Sequence, residues 1–72
     1  MAKRTFFQLY KQYHIGKWEL AQEAKVELEV INSMLTNEPV ARSDALKVLH
    51  IVSRWAGIRY SLEDVDVKVG GD

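Results

Sequence analysis

The sequence predicts an all-α fold, a compact bundle of four to five helices, and three observations lead there. Apolar residues recur at intervals of three and four along most of the chain, the spacing of helices buried on one face. Gly16, Pro39 and Gly57 fall between those runs, where helix-breaking residues belong. With 72 residues and 47% of them hydrophobic, the chain has material for one core and no second one. A single domain over 1–69 is expected, with 70–72 as a flexible end.

Thr5 is a suitable N-cap for a first helix over 6–13, in which Phe6, Phe7, Leu9, Tyr10 and Tyr13 form the apolar stripe. After Gly16, Trp18, Leu20, Ala21 and Ala24 mark a short second helix whose two alanines permit close approach by a neighbour. Leu28, Val30, Ile31, Met34 and Leu35 mark a third. Asn37, Glu38 and Pro39 end it, because proline disfavours helical geometry in the residue before it. Ser43 is the expected N-cap of the longest helix, over 44–56, with Ala45, Val48, Leu49, Val52 and Trp55 or Ala56 facing inward and Gly57 as its stop. Trp18 and Trp55, at core spacing, are expected inside. Ser61-Leu62-Glu63-Asp64 has the capping serine and acids of another N-terminus and predicts a short fifth helix or a single turn near 62–65. From Val65 to Val69 apolar and charged residues alternate, the pattern of a short strand or of a fraying end.

The chain has no cysteine, so neither disulfides nor thiolate metal sites hold it together, which suits a reducing cytoplasm. No apolar run approaches a membrane span, and the first residues lack the apolar segment of a secretory signal, so a cytoplasmic location is expected. His14 and His50 stand far apart without a third ligand, and no metal or cofactor is expected. Ser33, Ser43, Ser53 and Ser61 have no paired base or nucleophile-elbow context, and the acids are scattered, so catalysis is not expected.

Ten basic and ten acidic residues cancel, but they are not evenly spread. Residues 1–17 carry Lys3, Arg4, Lys11 and Lys17 and no acid, whereas 18–38 carry Glu19, Glu23, Glu27, Glu29 and Glu38 against Lys25 alone. Between 39 and 60, Arg42, Lys47, Arg54 and Arg59 face only Asp44. A fold can gather the basic segments onto one face or set them against the acids in ion pairs.

The segment 20–37 runs Leu-Ala-Gln-Glu-Ala-Lys-Val-Glu-Leu-Glu-Val-Ile-Asn-Ser-Met-Leu-Thr-Asn. It resembles the helix-turn-helix of the Cro/phage-repressor (XRE-like) family, with Leu20, Ala21, Ala24, Val26, Ile31 and Met34 on that family's core positions. A small residue at Ala24 lets the two helices cross tightly, and Val26 plugs the turn between them. The resemblance implies a lambda-repressor-like bundle and a DNA-binding transcriptional regulator. Leu28, Glu29, Asn32 and Ser33 would then face base edges, and Lys17, Trp18, Thr36, Asn37 and Arg42 would meet phosphates.

Two departures from that pattern bear on use more than on folding. Lys25 stands where the family has glycine, and a left-handed backbone there would cost a residue with a Cβ of the order of 1 kcal/mol. Glu27 replaces the capping Ser or Thr, and no cation lies among the base-facing positions. Two classes of function follow. One is a regulator of double-stranded DNA, a homodimer reading two half-sites through the long helix's outer face or the 65–69 tail, with Lys17, Arg42 and either Lys11 or Lys47 on the same surface as Asn32 and Ser33. The other is a protein-interaction module that offers the acidic band from Glu19 to Glu38 to a basic partner.

Overall fold

The computed structural model describes residues 3–70 and orders them as β1 (Arg4–Thr5), α1 (Phe6–Gln12), α2 (Lys17–Ala24), α3 (Leu28–Leu35), α4 (Arg42–Ala56) and β2 (Val65–Asp66). The described residues are mostly helical, with four helices and one two-stranded parallel sheet. Thr5 starts α1 as expected. Its Oγ1 accepts the Gln8 backbone N–H at 3.1 Å, and the Gln8 Oε1 accepts the Thr5 N–H at 2.9 Å, a reciprocal capping box.

The first three helices all stop without glycine. At the end of α1, His14 takes φ 52° and Ile15 N–H reaches back to Tyr10 O at 3.1 Å. At the end of α2, Lys25 takes φ 58° and Val26 N–H reaches Ala21 O at 3.1 Å. At the end of α3, Asn37 takes φ 61° and Glu38 N–H reaches Ser33 O at 2.7 Å. Each is a left-handed residue closing the helix through a long backward hydrogen bond, and Ile15 and Val26 turn their side chains to the core just after it. Only α4 ends on glycine, Gly57 at φ 71°.

The left-handed Lys25 carries strain that a glycine would not. Lys25→Gly is expected to raise stability by about 0.5–1 kcal/mol, the Cβ relief being partly offset by a freer unfolded chain. Thermal melts of the two proteins check this, and an unchanged or lowered midpoint would count against strain at this turn.

Burial follows the apolar stripes. Phe6, Leu9, Leu20, Ile31, Leu49, Val48, Val52 and Val65 are essentially inaccessible, and Ala21, Ala24 and Ala45 let helices approach where they cross. α2 packs on both α3 and α4, and α1 on α3. Burial of each large side chain contributes about 1.5–3 kcal/mol against the entropy of ordering the chain.

The two tryptophans depart from expectation. Trp18 is 73% exposed and Trp55 43% exposed. Trp18 lies two residues before Leu20, which puts it across the helix from the buried Leu20–Ala21–Ala24 stripe. Trp55 belongs to the last turn of α4, beyond the buried run that ends at Val52. The start of α4 also differs. Ala41, not Ser43, is the N-cap, and Arg42 is the first helical residue.

The C-terminal segment takes one of its two expected forms. No fifth helix forms: 62–64 is a single turn, in which Ser61 O accepts the N–H groups of Asp64 at 3.0 Å and Val65 at 3.2 Å. The Asp64 carboxylate in turn accepts the Ser61 N–H at 3.0 Å and hydroxyl at 2.9 Å. Val65 then leaves the turn to pair with β1, Arg4 opposite Val65 and Thr5 opposite Asp66. Further along, Val40 N–H donates to Lys68 O at 3.0 Å and Gly70 N–H to Val40 O at 3.0 Å. The segment 65–70 therefore straps the start of α1 to the loop before α4. Of the expected loose end 70–72, Gly70 is held in this way, and residues 71 and 72 lie outside those described.

A second tie joins the ends of α1 and α4. Ser53 Oγ donates to Leu49 O at 2.7 Å and accepts the Tyr60 N–H at 2.8 Å, which aims the Tyr60 ring at Tyr13. The two hydroxyls are 2.8 Å apart and the rings meet edge-on with centroids 6.4 Å apart. The hydrogen bond to Tyr13, and then burial, push the Tyr60 phenol above its ordinary 10.0. A raised phenol favours the folded state while it keeps its proton. Its contribution is whole below pH 10.0 and is lost as pH rises through the raised value. Tyr60→Phe is therefore expected to flatten the alkaline fall in melting temperature and to cost about 0.5–1.5 kcal/mol at neutral pH. Parallel alkaline profiles for the two proteins would contradict it.

Candidate nucleic-acid interface

The expected base-facing residues belong to α3, and the helix geometry decides which share a face. Ile31 and Met34 are buried and anchor α3 to the core. Opposite them, Glu29, Asn32, Ser33 and Thr36 follow one another at intervals of three and four, one stripe along the outer side. Glu29, Asn32 and Thr36 are exposed and Ser33 is half-buried. Leu28 stands at the margin between this stripe and the core, half-buried and packed against the apolar cluster. Three of the four expected base-facing residues thus share a surface, and Leu28 borders it.

Glu27 precedes α3 as its N-cap in extended conformation and makes no side-chain capping bond, as its chemistry predicts. Its carboxylate and that of Glu29 are both exposed. The outer stripe of α3 holds one acid, one amide and two hydroxyls, with no cation.

The expected phosphate-facing residues come from three places. Lys17 and Trp18 are the first two residues of α2 and both are exposed. The N-cap there, Gly16, has no side chain to cap with, and the Glu19 carboxylate folds back over it: a Cβ on Gly16 would lie 2.5 Å from Glu19 Oε1. An acid over these amides disfavours an anion on the backbone N–H groups, so any phosphate contact here falls to the Lys17 and Trp18 side chains.

Thr36 and Asn37 close α3. The Thr36 hydroxyl lies 3.1 Å from Asn32 O and 3.3 Å from Ser33 O, its proton directed at the helix's own carbonyls, so it meets a phosphate only by turning away from them. Asn37 is half-buried, and its Oδ1 is buried without a hydrogen-bond partner. Arg42 is exposed at the first position of α4. A cation gains nothing from the helix dipole there, so its position is not explained by α4's stability.

Two further exposed cations, which the motif does not single out, lie in the turn before α3 and on α1. Lys25 is exposed in the turn between α2 and α3. Lys11 lies with its ammonium 5.5 Å from the centre of the Phe7 ring. Two clefts of the surface lie elsewhere. One, about 390 Å³, is lined by Lys3, Arg4, Gln8 and Gln12, and the other, about 370 Å³, by His50, Ser53, Arg54, Gly57, Ile58 and Arg59. Among the described residues, no three His, Cys, Asp or Glu side chains gather as metal ligands would, and no helix is long and apolar enough to cross a membrane.

No known protein family, curated protein or solved structure matches this chain.

Proposed function

We propose that this chain is a small DNA-binding regulator with a lambda-repressor-like fold, in which α2 and α3 act as a helix-turn-helix and α3 enters the major groove. The observation that carries the reading is the division of 20–36 into two faces. Leu20, Ala21, Ala24, Ile31 and Met34 are buried, and Val26 is half-buried against the core. Glu29, Asn32, Ser33 and Thr36 remain on the outside of the second helix. Asn32 suits adenine, and Ser33 accepts either partner at a base edge. Glu29 selects for a cytosine amino group and repels phosphates. Lys17, Arg42 and Lys25 supply charge around an otherwise uncharged or acidic helix.

A unit this small reads two half-sites as a dimer, about 34 Å apart along the duplex. The outer face of α4 is the freer surface for that contact. Val65 is buried and the tail is already paired with β1 and Val40, so 65–69 offers less.

The test is a pair of binding measurements. Arg42→Ala is expected to weaken binding evenly across duplex sequences and to lower the salt slope by about one unit. Asn32→Ala is expected to change which sequences bind and to leave that slope alone. If neither substitution alters DNA binding, the docking is wrong.

A second reading has its own observation. Glu27 and Glu29 are exposed together, and Trp18, a large aromatic, is exposed on the preceding helix. In that reading the surface receives a basic protein, with the tryptophan as its anchor.

A further inference from the structure

We infer that the cleft beside α1, lined by Lys3, Arg4, Gln8 and Gln12, binds an oxyanion of the phosphate class. Arg4, Gln8 and Gln12 are spaced four residues apart, which sets them in one line along the outer side of α1 and the residue pair before it. Lys3 completes a cleft of about 390 Å³.

The cleft is selective because of what its side chains already do. Gln8 uses Oε1 to accept the Thr5 N–H at 2.9 Å, as half of the capping box. Gln12 uses Oε1 to accept from the Arg4 guanidinium. Both carbonyl oxygens are thereby engaged by partners within the chain, which leaves both NH₂ groups to donate elsewhere. What remains for a ligand is donors: two amide NH₂ groups, the other N–H groups of Arg4, and the Lys3 ammonium. None of the residues lining the cleft is acidic. Two positive charges with amide donors held by internal bonds suit an anion that accepts several hydrogen bonds at once, as phosphate does.

The site does not depend on the helix N-terminus, since Thr5 Oγ1 already takes the Gln8 N–H at 3.1 Å. Nor does it belong to the proposed DNA face, which lies on α2, α3 and the start of α4. The other cleft also carries two arginines, Arg54 and Arg59, and no acid, but it has no side-chain amide, its Ser53 hydroxyl is committed to Leu49 and Tyr60, and Gly57 and Ile58 form part of its lining.

A phosphate of this kind comes either as a free phosphate or monoester, or from a nucleic-acid backbone. The experiment is an NMR titration of the full chain with sodium phosphate, matched in ionic strength by a chloride titration, following the side-chain NH₂ signals of Gln8 and Gln12. Saturable shifts with phosphate and none with chloride are expected. Gln8→Glu keeps the carbonyl-type acceptor that the capping box needs, so α1 persists, but it exchanges the donor for a negative charge. Phosphate binding is then expected to weaken about tenfold or more.

Equal responses to chloride and phosphate, or an undiminished phosphate response in Gln8→Glu with its helix signals intact, would overturn the site. A short duplex separates the sources. If it shifts the same NH₂ signals and free phosphate competes, the ligand is a phosphodiester backbone; if phosphate binds and the duplex leaves those signals alone, it is a free phosphate. Failure of the DNA reading would show instead at Asn32 and Arg42, so the two results are separable.

Discussion

Ile31→Ala is expected to lower the domain's stability by about 2–5 kcal/mol, the cost of deleting a large aliphatic side chain from a packed core. Ile31 is fully buried at the centre of α3, the helix that carries the proposed reading surface. A chain of 72 residues sits at the lower end of the roughly 5–15 kcal/mol typical of folded domains. The substitution therefore removes a large part of what holds it folded. Denaturant melts followed by circular dichroism measure the loss, with Ile31→Val as the graded companion at about 0.5–1.5 kcal/mol. If Ile31→Ala cost less than 1 kcal/mol, α3 would not be anchored through this residue, and its outer stripe would have no fixed presentation.

The second large effect concerns charge. Glu29 is exposed on the outer stripe of α3 and is expected to repel a phosphate backbone at close range. Glu29→Lys is expected to strengthen DNA binding on the order of tenfold at about 50 mM salt and to steepen the salt slope by about one unit, the effect of one added phosphate contact. The fold loses little, since the side chain is exposed, although an acid in the first turn suits the helix dipole and its reversal costs about 0.5–1 kcal/mol. Glu63→Lys is the control. It makes the same change in net charge at an exposed site in the 62–64 turn, outside the helix-turn-helix segment. A gain at Glu29→Lys well above that at Glu63→Lys supports α3 as the contact surface. Equal gains would reduce the effect to overall charge and remove α3 from the account.

Much of the helical layout was legible in the residue pattern, and the reasons it stopped where it did are specific. Thr5, Gly57 and Pro39 mark ends through backbone chemistry that tertiary contacts did not override. The buried stripes of α2, α3 and α4 follow from periodicity alone. Trp18 departs from expectation because an aromatic near a short apolar run reads as core, whereas Leu20, Ala21 and Ala24 fix a stripe that excludes it. Of the two forms expected near 62–65 the single turn is the one found, because Ser61 and Asp64 cap one turn and Val65 then pairs with β1 and is fully buried. That pairing joins residues about sixty apart in sequence, and no local pattern encodes it. The helix ends at His14, Lys25 and Asn37 were legible only in part, because glycine is the usual mark of a left-handed stop and none is present there.

The site residues divide in the same way. Glu29, Asn32 and Ser33 share a face because three- and four-residue spacing requires it. Whether Thr36 is available depends on its bond to the preceding carbonyls, and Arg42 enters α4 because that helix starts after Ala41 rather than after Ser43. The Lys3–Arg4–Gln8–Gln12 cleft had a signal in its four-residue spacing, but the orientation of both amides is set by hydrogen bonds that only the folded chain reveals.

The most direct test of the central claim is an amide-shift NMR titration of the intact protein with mixed-sequence duplex DNA at about 50 mM salt, where contacts to phosphate are strongest. The account predicts shifts concentrated at Lys17, Trp18, residues 27–36 and Arg42. An intact spectrum with no shifts at these positions would contradict it, and would direct attention to the exposed Glu27, Glu29 and Trp18 as a surface for a basic protein.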